Sequence, residues 1–221
     1  MNYIDAAVLV IIVFSCFQGY RRGFIKTLFD TLGVIVAFFL SKQFYYLMED
    51  FLMDNTKLFS RVHDFIERKS SVNFIESMDK LFNLPAELQN ILSNIIKTGD
   101  LTQADTFQVF VNNISIIVVR SISFIITLLI IYVLLVVLSN LINIIFKLPV
   151  LNMTNRIFGA ATGLVKGAII LYIIFALASP LIGFMQENGI AKDVLSSESS
   201  KIFYDNNIIL NYLSYMGFYN N

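Results

Sequence analysis

The chain has 221 residues, 57% of them hydrophobic and only 14% charged, with a formal net charge of zero and a mean hydropathy of +0.71. A soluble domain carries about 25% charged residues and has too little interior to hide this much apolar surface, so lipid is the expected solvent. The neutral balance gives no basis for a nucleic-acid partner, and one cysteine (Cys16) with one histidine (His63) can build neither an intrachain disulfide nor a structural zinc cage.

The first apolar stretch covers about 3–20. Asp5 precedes most of it and Arg21 and Arg22 follow it, the reverse of a secretory signal, so a retained helix is expected, with Cys16 as a small apolar residue inside it. A second stretch runs over about 23–47. The segment 48–108 mixes charges of both signs yet keeps helical spacing. Leu58, Phe59, Val62, Phe65 and Ile66 share one face, Ile75, Met78, Leu81 and Phe82 another, and Pro85 opens a third helix with Leu88, Ile91, Leu92, Ile95 and Ile96. Mixed-sign polar faces favour packing on one another or on the spans over lying flat on lipid. The third stretch, about 114–146, follows a capping box at Thr102–Asp105. A helix from there to Phe146, at ~1.5 Å per residue, outruns a bilayer, so a soluble first part, a kink or a steep tilt is expected, with Arg120 near the boundary. The fourth covers about 157–182, with Pro149 before it and Pro180 near its end, where proline can close a helix. The tail, 185–221, is amphipathic, with Ile208, Ile209, Tyr212, Leu213 and Met216 on one stripe. The expectation is one all-α membrane domain of about four transmembrane helices, with amphipathic helices in the long middle loop and the tail.

Basic residues in short loops set orientation. Arg21, Arg22 and Lys26 lie in the first connection and Lys147 and Arg156 in the third. Those loops are expected to be cytoplasmic, anchored by these residues, with both termini and the middle loop extracytoplasmic.

Two short motifs resemble those of a known bacterial family. Asp5 opens the first span, and Gly19-Tyr-Arg21-Arg22-Gly23-Phe24 links it to the second. Asn155-Arg156-Ile-Phe-Gly159-Ala-Ala-Thr-Gly163-Leu-Val-Lys166-Gly167 leads into the fourth. In this order, with four spans around a large middle loop, they resemble the colicin V production protein family over most of the chain. The resemblance implies a multi-pass protein of the bacterial inner (plasma) membrane, linked to production or export of a peptide toxin and to envelope homeostasis. It implies no catalytic residues.

The glycines can be read without the family. Gly159, Gly163 and Gly167 recur every four residues, about 400° of helical turn, and share a narrow stripe that another backbone can approach closely. The stripe is a self-association face, the lining of an oligomeric, tension-gated pore, or a contact with the first or second span. Asp5, Lys26, Asp30, Arg120, Arg156 and Lys166 lie inside or beside spans, where a central charge costs at least ~2.5 kcal/mol. Lys26 and Asp30 are four apart and can neutralise each other. Lys166 lies ~15 Å beyond Arg156, near the middle of a ~30 Å core. It either snorkels to the interface or sits in a polar cavity with a carboxylate partner, Asp30 first and Asp5 second. Gln18, Asn140 and Asn143 can bond between helices. No nucleophile elbow or phosphate loop is present. The expectation is therefore no enzyme, no cofactor and no metal, with the lipid bilayer, a homo-oligomer or other membrane and envelope proteins as partners.

Overall fold

The computed structural model describes residues 2–70, 103–145, 153–184, 189–205 and 207–219. The helices expected around Ile75–Phe82 and after Pro85, the residue Thr102 of the capping box, Lys147 and Pro149 lie outside the described residues. Among the described residues eight helices follow in order: α1 (Tyr3–Arg22), α2 (Phe24–Asn55), α3 (Leu58–Ser70), α4 (Gln103–Ile145), α5 (Met153–Phe184), α6 (Gly189–Ser196), α7 (Glu198–Tyr204) and α8 (Ile208–Tyr215). Among the described residues there is no strand. Four stretches of the described residues are long and apolar enough to cross a membrane: Tyr3–Arg22, Phe24–Asn55, Phe107–Leu138 and Met153–Ile182.

The α1–α2 link is a single residue. Gly23 has φ +80°, which glycine adopts freely, and its amide closes α1 by bonding to the Gly19 carbonyl at 2.8 Å. The free Phe24 amide at the start of α2 is taken by Asn155 Oδ1 at 2.7 Å, so α2 and α5 begin side by side and run in the same direction. α2 continues to Asn55, well past the expected end near Leu47, because Glu49 turns inward at 9% exposure rather than opening a loop. α4 is unbroken over 43 residues, ~65 Å, and its early part packs on α3.

α1 packs mainly on α5, and α2 on α4 and α5. α1 and α5 are antiparallel, since Gly19 meets Gly159 and Ser15 meets Gly163. α2 and α4 are antiparallel too: Gly33 faces Tyr132, the Phe38 and Phe124 rings meet at 5.5 Å, and Glu49 meets Arg120. One end of the bundle carries Arg21, Arg22, Lys26 and Arg156 (the basic end). The other carries Asp5, Glu49, Arg120, α3 and the C-terminal tail (the far end).

The tail closes that far end. α6 and α7 lie across α1 and α5, and α8 packs on α5. Leu210, Leu213, Phe218 and Tyr219 are buried, and the Phe218 ring meets Tyr45 at 4.9 Å and Phe124 at 5.5 Å. Pro180 explains one anchor. It does not end α5, which runs on to Phe184, but proline has no N–H to offer the carbonyl four residues back, that of Ala176. The Tyr219 hydroxyl donates to that carbonyl at 2.9 Å instead.

Candidate functional site

Apolar helices gain little by meeting in lipid, so close packing and polar contacts carry the specificity of the bundle. The glycine stripe is filled within the chain. A Cβ at Gly159 would lie 2.4 Å from the Gly19 carbonyl oxygen, one at Gly163 2.3 Å from that of Ser15, and one at Gly167 3.0 Å from the Ser15 Cβ. The matching stripe is Ser15 and Gly19 on α1 with Gly23 just beyond its end, again four residues apart and all buried. Of the three readings of the stripe, contact with the first span is the one the structure displays.

The buried charges fall at three depths. At the basic end Arg22 forms an ion pair with Asp30. Thr27, Asp30, Thr31 and Val34 make the inward face of α2, while Lys26 is exposed and is not the partner. The turn at Gly23 is responsible, because it swings the last residue of α1 back over the first turns of α2. Arg22 is therefore more than an interfacial anchor. Arg21 and Arg156 are exposed at the same end.

In the middle, Lys166 is 6% exposed. Its Nζ donates to Gln18 Oε1 at 3.3 Å and Tyr132 Oη at 3.1 Å, and lies 5.6 Å from the Tyr132 ring centre. Neither expected carboxylate, Asp30 or Asp5, is its partner. Asp30 is taken by Arg22, and Asp5 sits at the far end, so Lys166 is held by neutral oxygens and a ring face. A helical side chain leans toward the start of its own helix. Lys166 accordingly reaches back toward Gln18 without leaving the interior. Gln18 was legible as a polar residue in a span; Tyr132 carried no signal among the aliphatic residues around it.

At the far end Arg120 Nε contacts both Glu49 oxygens at 3.1 Å, and Arg120 NH1 donates to the Phe218 carbonyl at 2.8 Å. Both side chains are nearly buried, so the pair joins α2, α4 and the tail. Glu49 escaped the sequence reading because an acid beyond an apolar run looks like the start of a loop. Asp5 Oδ1 accepts from Ser197 Oγ at 2.6 Å and from Ser199 N and Oγ at 3.1 and 2.7 Å, while Oδ2 accepts from the Asn2 amide at 2.8 Å. It ties the start of α1 to the tail. Burial pushes the Tyr204 and Tyr219 phenols in the tail above the usual tyrosine range, with the Asp205 charge adding to the effect at Tyr204.

His63, Asp64 and Glu67 on α3 bring ligand atoms within 4.8 Å of one another. His63 and Asp64 are consecutive and diverge by about 100° around the helix, and Glu67 Oε1 already accepts from Gln108 Nε2 at 2.9 Å. The cluster reads as a solvated face bonded to α4. The side chains of Asn140 and Asn143 lie outside the described residues.

Together the stripe, the two ion pairs and the Lys166 contacts make a set of internal clasps that fix four spans and a tail in one arrangement. The family model for the colicin V production protein matches residues 4–82 and 86–206. That span takes in both glycine-bearing motifs, Asp5, Asp30, Glu49, Arg120 and Lys166. No curated protein and no solved structure matches the chain. Nearly the whole chain is thus covered by one family, and the chain belongs to the colicin V production protein family.

Proposed function

We propose that this is an accessory scaffold protein of the bacterial plasma membrane, supporting production or export of a peptide toxin and upkeep of the envelope through contacts with other proteins. The observation that carries this reading is the occupied glycine stripe. The helix best suited by sequence to line an oligomeric pore spends its small-residue face on α1 of its own chain. What the bundle presents outward is an aliphatic and aromatic belt (Val10, Phe14, Phe17, Phe29, Val133, Leu134) suited to lipid or to other membrane helices. In this reading the basic end faces the cytoplasm and the tail and α3 face the other side, and the protein catalyses nothing.

Two measurements test it. Photo-crosslinkers at Phe14 and Val133, followed by purification from native membranes, should recover discrete protein adducts; a purified protein that conducts ions in planar bilayers would replace the scaffold with a channel. For orientation, Lys192→Cys in a Cys16→Ser chain should react with an impermeant maleimide from outside spheroplasts. Labelling only after lysis would invert the topology.

A further inference from the structure

No side chain in the segment 206–221, after Asp205, is charged. The helices just before it differ, since α6 and α7 expose Lys192, Glu198 and Lys201. The outward side of α8 carries Ile208 at 74% exposure, Asn211, and Tyr215 at 89%, with Met216 beside them. In water this stripe, apolar but for Asn211, is covered by nothing among the described residues. We propose that α8 and the residues after it are seated in the membrane–water interface at the far end, and that the occupant of their outward side is phospholipid acyl chain.

Depth supports the assignment. α2 starts beside Asn155 at the basic end, so Phe38, fourteen residues on, lies ~21 Å along a hydrocarbon core of ~30 Å. Tyr212 of α8 meets the Phe38 and Phe39 rings at 6.1 and 5.9 Å. It therefore sits about 9 Å below the far boundary, within the ~5–10 Å to which interfacial helices sink. Phe39 is itself 53% exposed on the outer side of α2, so the outward side of α8 continues the lipid-facing belt.

Hydrogen bonding supports it independently. Lipid offers no partner to a free backbone group, so an immersed helix must have its ends satisfied by protein. Asn207 Oδ1 accepts from the Ile209 and Leu210 amides at 2.9 Å each, and Asn207 Nδ2 donates to the Tyr172 carbonyl at 3.0 Å. At the other end Gly217, with φ +71°, lets the chain fold back so that Phe218 N reaches the Leu213 carbonyl at 2.9 Å and Gly217 N that of Ser214 at 3.0 Å. Arg120 then takes the Phe218 carbonyl, and Tyr219 the carbonyl that Pro180 leaves free.

The chain contains no tryptophan, which gives a clean test. Tyr215→Trp and Lys201→Trp each introduce one fluorophore at an exposed position of the full-length protein in phosphatidylcholine vesicles. With brominated acyl chains, Tyr215→Trp should lose more emission than Lys201→Trp, and aqueous iodide should reverse the order. Tyr215→Trp emission should also be shifted to shorter wavelength. Equal or weaker quenching of Tyr215→Trp by brominated lipid would overturn the proposal and put α8 in water with α6 and α7.

Discussion

Placing a methyl group on the α1–α5 seam should loosen the bundle in proportion to what the methyl meets. At Gly163 the new Cβ would lie 2.3 Å from the Ser15 carbonyl oxygen and 3.0 Å from its carbon, and at Gly19 2.1 Å from the Gly159 oxygen. A carbon and a carbonyl oxygen rest at about 3.3 Å or more, so the helices must part by about 1 Å. A gap of 0.5–1 Å forfeits roughly a quarter to a half of the attraction between facing atoms, and overpacking costs about 1–3 kcal/mol. Alanine returns about 1 kcal/mol through helix propensity, leaving Gly163→Ala and Gly19→Ala destabilised by up to about 2 kcal/mol. At Gly167 the nearest atoms are the Ser15 Cβ and Oγ at 3.0 and 3.1 Å, a side chain that can give way, so that substitution should be near neutral. At Gly33 the nearest is a Tyr132 ring carbon at 3.9 Å, an ordinary contact, and Gly33→Ala should stabilise by up to about 1 kcal/mol. Unfolding midpoints in one detergent should rank Gly33→Ala above the parent and Gly167→Ala, and those above Gly163→Ala and Gly19→Ala. A Gly163→Ala protein as stable as Gly33→Ala would refute the claim that the stripe is a backbone contact.

Tyr219→Phe should cost about 1–3 kcal/mol by stranding the Ala176 carbonyl, and much less in a Pro180→Ala background, where an N–H is again available; equal costs in both would break the link between the proline and the tail. Tyr132→Phe should destabilise by about 1.5–3 kcal/mol because a cation loses a partner, whereas Lys166→Met should change stability by less than about 1 kcal/mol and should suppress the Tyr132→Phe penalty. The tail should also loosen in alkali. Tyr204 and Tyr219 hold their protons above the unfolded value near pH 10, so their contribution is intact below about pH 10. Above it the unfolded chain loses protons that the folded one keeps, and stability falls by up to about 1.4 kcal/mol per pH unit per phenol. Tyr219→Phe should flatten part of that slope, measured as the detergent midpoint between pH 9 and 11.

Hydropathy and four-residue spacing were enough to find four long apolar helices and the glycine stripe, because each depends only on position along one helix. Pairing across helices was not legible. Lys26 and Asp30 have ideal spacing, but a one-residue turn at Gly23 brings Arg22 closer to Asp30. Asp30 and Lys166 occupy plausible depths, yet they face different neighbours. Pro180 looked like a terminator because its usual effect is local; its missing N–H is instead met by a tyrosine 39 residues later. Of the tail stripe expected from Ile208, Ile209, Tyr212, Leu213 and Met216, Ile209, Tyr212 and Leu213 pack inward while Ile208 and Met216 are exposed. Nothing in the spacing showed that Phe218 and Tyr219 beyond it would be among the most buried side chains.

The principal contact of α1 is with the last span to be made, not with the helix that follows it. Some 130 residues separate Arg22 from Met153, and ribosomes add roughly 5–20 residues per second, so the first helix waits about 7–26 s for its partner. During that interval Gln18 and the narrow backbone groove at Ser15 and Gly19 face either lipid or a protein of the insertion machinery. Nascent chains arrested before α5 should therefore be the form most readily captured by an insertase or degraded by a membrane protease, and release of the completed chain should end that vulnerability.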